Sequence, residues 1–195
     1  MDDHSTVSKD TCKTDATAAA EYRSKLSAIT RRIIDNCHDK ECYLHVDYEP
    51  IPSKDSVIDI ITRFREILFP GYFTREKIDP VNLTYYLGQS LAKLYDLLSE
   101  QIRNSIRHDC FRYDRACLEC ETEGHRLALS MLESVPDLRR LLAKDVKAIL
   151  RGDPAAKSED EIIFSYPGLF ALTVYRVAHR LNELGVNLLP RIMTE

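Results

Sequence analysis

An all-α fold, a helical bundle of about six to eight helices, is what this sequence predicts, and three observations predict it. Apolar residues recur every three or four positions over most of the chain. Glycine is sparse, at 6 in 195 residues, and tryptophan is absent, while Leu, Ile, Ala, Arg and Glu are plentiful. That composition favours helices over a turn-rich β fold. No stretch alternates apolar and polar residues as a half-buried strand does.

Residues 1–15 are polar and without periodicity, which predicts a disordered N-terminal segment ahead of a helical domain over 16–195. From Ala16 to about Asn36, Leu26, Ile29 and Ile33 set the helical spacing. Pro50 and Pro52 mark a connector, and Ser53 is a good N-cap for a helix with the stripe Val57, Ile61, Phe64 and Leu68. Pro70-Gly71 ends that helix. Asp79-Pro80 opens the longest periodic run, with Leu83, Leu87, Leu91, Leu94, Leu98, Ile102 and Ile106 on one face. Such a stripe predicts lengthwise packing against neighbours or a second subunit. A further helix is expected from about Cys117 to Glu133. Pro136 suits a first helical turn, and Gly152 suits a left-handed C-cap. Ser158 and Glu161 have the spacing of a capping box. Pro167 begins a helix carrying Phe170, Val174, Val177, Leu181 and Leu184, Gly185 stops it, and residues 188–193 open another amphipathic element.

Composition excludes several function classes. A net charge of -4 with mixed signs gives no footprint for nucleic acid, and Arg31-Arg32 and Arg139-Arg140 are isolated pairs among acids. The chain has no basic start followed by an apolar run, and no stretch near the roughly 18–20 apolar residues that span a bilayer. The expected compartment is the cytoplasm, with no membrane partner. Thiols there are kept reduced, so the six cysteines predict no disulfide framework.

The segment from Asp145 to Glu195 resembles the serine O-acetyltransferase family. The residues that carry the resemblance are Gly152-Asp153-Pro154-Ala155-Ala156-Lys157-Ser158 and Asp160 to Gly168 (DEIIFSYPG), then Val174 to Arg180 (VYRVAHR) and Leu189 to Glu195 (LPRIMTE). Leu83 to Leu150 is also similar to the longer-headed bacterial members, which bear a cysteine-containing segment where this chain has His108 to Cys120. The first 80 residues match in length and helical character alone.

The resemblance implies transfer of an acetyl group from acetyl-CoA to the hydroxyl of L-serine, giving O-acetylserine for cysteine biosynthesis. In the family the chemistry sits in a left-handed parallel β-helix of hexapeptide repeats, where an Asp-oriented His takes the serine proton. No hexapeptide repeat can be quoted from this sequence. The expectation is therefore a helical domain that stops before the catalytic one, binds no cofactor itself, offers no catalytic residue and is inactive alone. The family also implies a homo-oligomer built through helical domains, and docking of O-acetylserine sulfhydrylase through a C-terminal tail absent here.

One residue of the family's amino-acid pocket maps onto this chain. The Asp of the Asp-Pro-Ala motif corresponds to Asp153, where a carboxylate would orient the ammonium of free L-serine. On local grounds alone, Asp-Pro after a helix-ending Gly is equally a common turn. Tyr175 and His179 are four apart on one helix, so the two side chains can pack or hydrogen-bond, and His179 is not expected to be catalytic.

His108, Cys110, Cys117 and Cys120 form His-x-Cys-x6-Cys-x2-Cys, half of a structural zinc signature, and Cys37, His38, Cys42 and His45 form a second cluster. Ordinary reduced thiols explain the same residues, so no metal site is assigned. The clusters do support a second functional class, a non-catalytic helical adaptor that senses metal or thiols.

Overall fold

The computed structural model describes residues 16–39, 41–42, 51–74, 77–116 and 119–195, with side chains from Ala19 onward. Among these residues every regular element is a helix: α1 (Ala16–Cys37), α2 (Lys54–Leu68), α3 (Leu83–Arg112), α4 (Cys120–Glu133), α5 (Val135–Gly152), α6 (Glu159–Ser165), α7 (Pro167–Glu183) and α8 (Leu188–Met193). The expected 1–15 segment lies outside the described residues. The chain divides into two compact units, residues 1–48 and 49–195.

The first unit is described through α1. Its side chains Leu26, Ile29 and Ile33 are exposed, although their spacing is that of a buried stripe.

The second unit is built around α3, which lies along α2 on one side and α4 on another. Leu94, Leu98 and Ile102 are fully buried, while Leu83, Leu87, Leu91 and Ile106 are partly exposed. Only the middle of the predicted stripe is core, because α2 and α4 cover the central turns. α4 approaches α3 closely at Gly124, where an added Cβ would stand 3.0 Å from the Ser99 carbonyl oxygen and 3.1 Å from Arg103 Cβ. Arg103 donates to Glu121 at 2.8 Å across the same seam, and Tyr95 stacks on His125 with Oη 3.0 Å from Nδ1. Gln101, buried within α3, accepts from the Ser53 N–H at 2.8 Å and so fixes the start of α2.

Ser53 is the N-cap of α2, its hydroxyl accepting from Ser56 N–H, and Gly71 takes the left-handed conformation (φ 88°) just past that helix. Ser158 caps α6 by accepting from Glu161 N–H at 3.1 Å. Glu161 answers by accepting from Lys157 N–H at 2.8 Å, one residue earlier than in a standard capping box. Gly185 is left-handed (φ 87°) and turns α7 into α8. Gly152 departs from expectation. It is the last helical residue of α5, and extended Asp153 provides the cap. A C-cap with a bonded N–H and an extended exit needs no left-handed residue. Phe170 also departs: it faces outward, 42% exposed, beneath the Arg65 guanidinium.

Candidate functional site

Asp153 sits where α5 gives way to the turn before α6. Its N–H donates to the Ile149 carbonyl at 2.9 Å, closing the last turn of α5. Its backbone then leaves the helix in an extended conformation (φ −108°, ψ 108°), the region that a following proline favours. The side chain folds back on the chain. Ala155 N–H donates to Oδ1 at 2.9 Å, forming an Asx turn, and the Tyr166 hydroxyl donates to Oδ2 at 2.9 Å.

Tyr166 reaches Asp153 because of its own neighbours. It separates α6 from α7, and Pro167 holds it extended (φ −82°, ψ 111°), so its ring leaves the helical path. The Asp153 carboxylate raises the Tyr166 phenol above its ordinary value of 10.0, chiefly through the hydrogen bond the phenol donates. At neutral pH the phenol is therefore a donor. Both oxygens of a half-buried carboxylate are thus aimed, and each keeps a lone pair for a further donor. Such a carboxylate can accept a further charge-assisted hydrogen bond from a cationic donor. The same geometry fulfils the turn role that Asp-Pro plays on local grounds, since the Asx bond is present.

About two turns earlier on α5, Asp145 accepts a two-pronged pair from Arg176 of α7, both contacts at 2.6 Å. Both side chains are mostly buried, at 21% and 16% exposure, and the hydrogen bond to Asp145 holds the Arg176 guanidinium above its usual pKa. This pair clamps α5 to α7, the two helices whose ends carry Asp153 and Tyr166. Neither the Tyr166 bond nor this clamp has a signature in sequence spacing, for the partners stand 13 and 31 residues apart. His179 stacks on Tyr175 with centroids 5.6 Å apart and planes 12° from parallel, and its Nε2 lies 3.4 Å from Glu183. The pair packs as expected, but on an exposed face and without a buried hydrogen bond.

A cleft of about 530 Å³ opens elsewhere, between the end of α2, α5 and α6. Leu68, Phe69, Val146 and Ile163 line it together with Arg139, Arg140 and Lys147; Asp153 is not among the lining residues.

The cysteines divide between the units. Cys37, His38 and Cys42 belong to the first, and His45 lies outside the described residues. In the second, Cys110 is a free thiol whose sulfur lies 3.7 Å from that of Cys120, while Cys120 is disulfide-bonded, against the expectation of reduced thiols. Close helix termini, which spacing alone does not reveal, bring these sulfurs together. His108 Nδ1 is buried 3.9 Å from Asp109 Oδ1, and Cys117 lies outside the described residues. Among the described residues no three His, Cys, Asp or Glu side chains converge as metal ligands.

The helical fold is that of an acyltransferase's N-terminal domain. Serine acetyltransferase 1 from Entamoeba histolytica, solved with L-cysteine, superposes with a TM-score of 0.56 at 29% identity, over 82% of this chain and 50% of that one. A plasmid serine acetyltransferase of Synechococcus elongatus is 37% identical over 151 residues, 76% of this chain and 47% of the relative. A serine acetyltransferase from Synechocystis is 45% identical over 53 residues, 27% of this chain and 21% of that one. No family model matches. The chain belongs to the serine acetyltransferase family. It spans about half the length of the two relatives that match most of it.

Proposed function

We propose that this chain is the helical assembly and substrate-pocket part of a serine O-acetyltransferase, which moves acetyl from acetyl-CoA to the L-serine hydroxyl. The observation that carries the reading is the 37% identity over 151 residues to a serine acetyltransferase. That a solved relative carries L-cysteine supports a small free amino acid as the class of ligand. Within this reading Asp153 is the residue that meets substrate. Its carboxylate is preset by Ala155 N–H and the Tyr166 hydroxyl, so it pays little reorganisation when an ammonium docks.

Acetyl transfer also needs a base for the serine hydroxyl, donors for the oxyanion and a cleft for the thioester. A hydroxyl is a weak nucleophile until a base takes its proton. We assign those tasks to the left-handed β-helix of the complete enzyme, and to none of the helical residues. The helical part contributes orientation of serine and a surface for self-assembly. Acetyl-CoA is a cosubstrate of the complete enzyme, O-acetylserine sulfhydrylase its partner through the C-terminal tail, and the cytoplasm the place of work.

The test is acetyl-CoA consumption with L-serine by this chain alone and by the chain joined to a serine acetyltransferase β-helix. The chain alone is expected to be inactive and the joined enzyme active. In the joined enzyme Asp153→Asn should raise the KM for L-serine about tenfold or more, with the KM for acetyl-CoA little changed, from loss of a charge-assisted contact. Turnover by the chain alone, or an unchanged serine KM in the variant, overturns the assignment.

A further inference from the structure

We propose that the cleft between the end of α2, α5 and α6 is a binding site for a small amphiphilic anion, an apolar body that carries a single anionic group. The cleft holds about 530 Å³, within the ~300–1,000 Å³ of small-molecule sites. Its lining combines two chemistries. Leu68, Phe69 and Val146 belong to the core, and partly exposed Tyr72 and Ile163, with exposed Ala143, carry that apolar surface into the cleft. The Tyr72 hydroxyl donates to Asp160 at 2.5 Å, which ties the chain after α2 to α6 and holds the cleft's outline. Arg139, Arg140 and Lys147 supply positive charge, all from α5, and the one acid among the lining residues is Glu159 of α6.

Spacing along α5 arranges the cations. Arg139, Ala143 and Lys147 stand four residues apart on one row of the helix, so each cation lies about 6 Å along the axis from the alanine. Two long side chains flanking a methyl leave room between them. Their stems add apolar surface while their heads keep the charge. Among the described residues Arg139 and Lys147 have no acidic partner, whereas Arg140 is paired with Asp137.

Two cations without local acids therefore share a concavity with Tyr72, Val146 and Ile163. A merely solvated helix face needs no such apolar neighbours. An anionic head placed there gains charge-assisted hydrogen bonds, and its body takes apolar surface out of water. A neutral ligand forgoes the first gain and an inorganic anion the second. Asp153 does not line the cleft, and the proposal does not depend on acetyl transfer.

The test titrates the full chain with 8-anilinonaphthalene-1-sulfonate, whose fluorescence rises in apolar surroundings, and with N-phenyl-1-naphthylamine, the same body without the sulfonate. One equivalent of the sulfonate is expected to bind, with a Kd of about 100 μM or tighter. The double variant Arg139→Gln, Lys147→Gln should weaken the sulfonate about fivefold or more and leave the neutral dye within about twofold. Glu159→Gln should tighten the sulfonate about twofold by removing a like charge. Ala143→Leu fills the gap and should weaken both dyes; Ala143→Gln serves if circular dichroism shows the leucine variant unfolded. Sulfonate binding that is absent up to about 1 mM, or unchanged in the double variant or the Ala143 variant, overturns the proposal. So does binding that disappears as protein concentration rises, which assigns the cleft to a second copy of the chain.

Discussion

Asp145 and Arg176 meet through two hydrogen bonds in a mostly buried site, so either one alone is an uncompensated charge. Removing the guanidinium leaves the carboxylate desolvated without a donor. Arg176→Met is expected to cost about 1–3 kcal/mol of unfolding free energy, less than a fully buried pair because both groups retain some water contact. Urea denaturation followed by circular dichroism measures it, and a loss within error of zero contradicts the clamp. Asp153 and Tyr166 illustrate the same scale: a turn residue and an interhelical tyrosine become one oriented carboxylate only when both bonds form. The motif that marks Asp153 was legible in the sequence, but its orienting partner was not. A phenol 13 residues away has no periodic relation to it, and what joins them is the bend that Pro167 imposes.

At the scale of helices, the α3–α4 seam carries most of the testable energetics. Gly124 is the contact point, with Ser99 and Arg103 backbone atoms 3.0–3.3 Å from a built Cβ. Backbone cannot yield as a flexible side chain does, so Gly124→Val should cost about 1–3 kcal/mol despite the low helix propensity of glycine. A stability gain in urea unfolding would place the helices further apart than described. The same seam gives a pH dependence. The hydrogen bond from Arg103 holds Glu121 below its ordinary carboxylate pKa of 4.5, with Arg107 and His125 adding to it. A depressed folded-state value means that the contribution is whole above the ordinary value and fades as pH falls through the folded one. The thermal midpoints of parent and Arg103→Gln should differ at pH 7 and converge toward pH 3; a gap that widens in acid reverses the sign. Periodicity identified α2, α3, α5 and α7, since each buries one stripe. It did not show that α1 would leave Leu26, Ile29 and Ile33 exposed, because spacing specifies a face and not what covers it.

For the molecule as a whole, the proposed function predicts that this helical chain associates with copies of itself. Leu83 and Leu87 at the start of α3 are partly exposed, with exposed Val81 and Tyr85 beside them, and present apolar surface to solvent. Light scattering across micromolar concentrations should give a mass above the monomer's 22.4 kDa. A strictly monomeric mass over that range contradicts the assembly role.

By itself, the sequence determined the fold class, the helix starts at Ser53 and Ser158, the stop at Gly185 and the kinship carried by Gly152 to Glu195. The fold class and the helix ends rest on interactions between residues a few positions apart, which a linear string records, and the kinship rests on resemblance of short motifs. Tertiary structure alone decided which part of each stripe, if any, is core, how Tyr166 aims Asp153, that Asp145 holds Arg176, and that Cys110 stands against Cys120. Those outcomes depend on where helices cross and which termini meet, and packing of whole faces sets both.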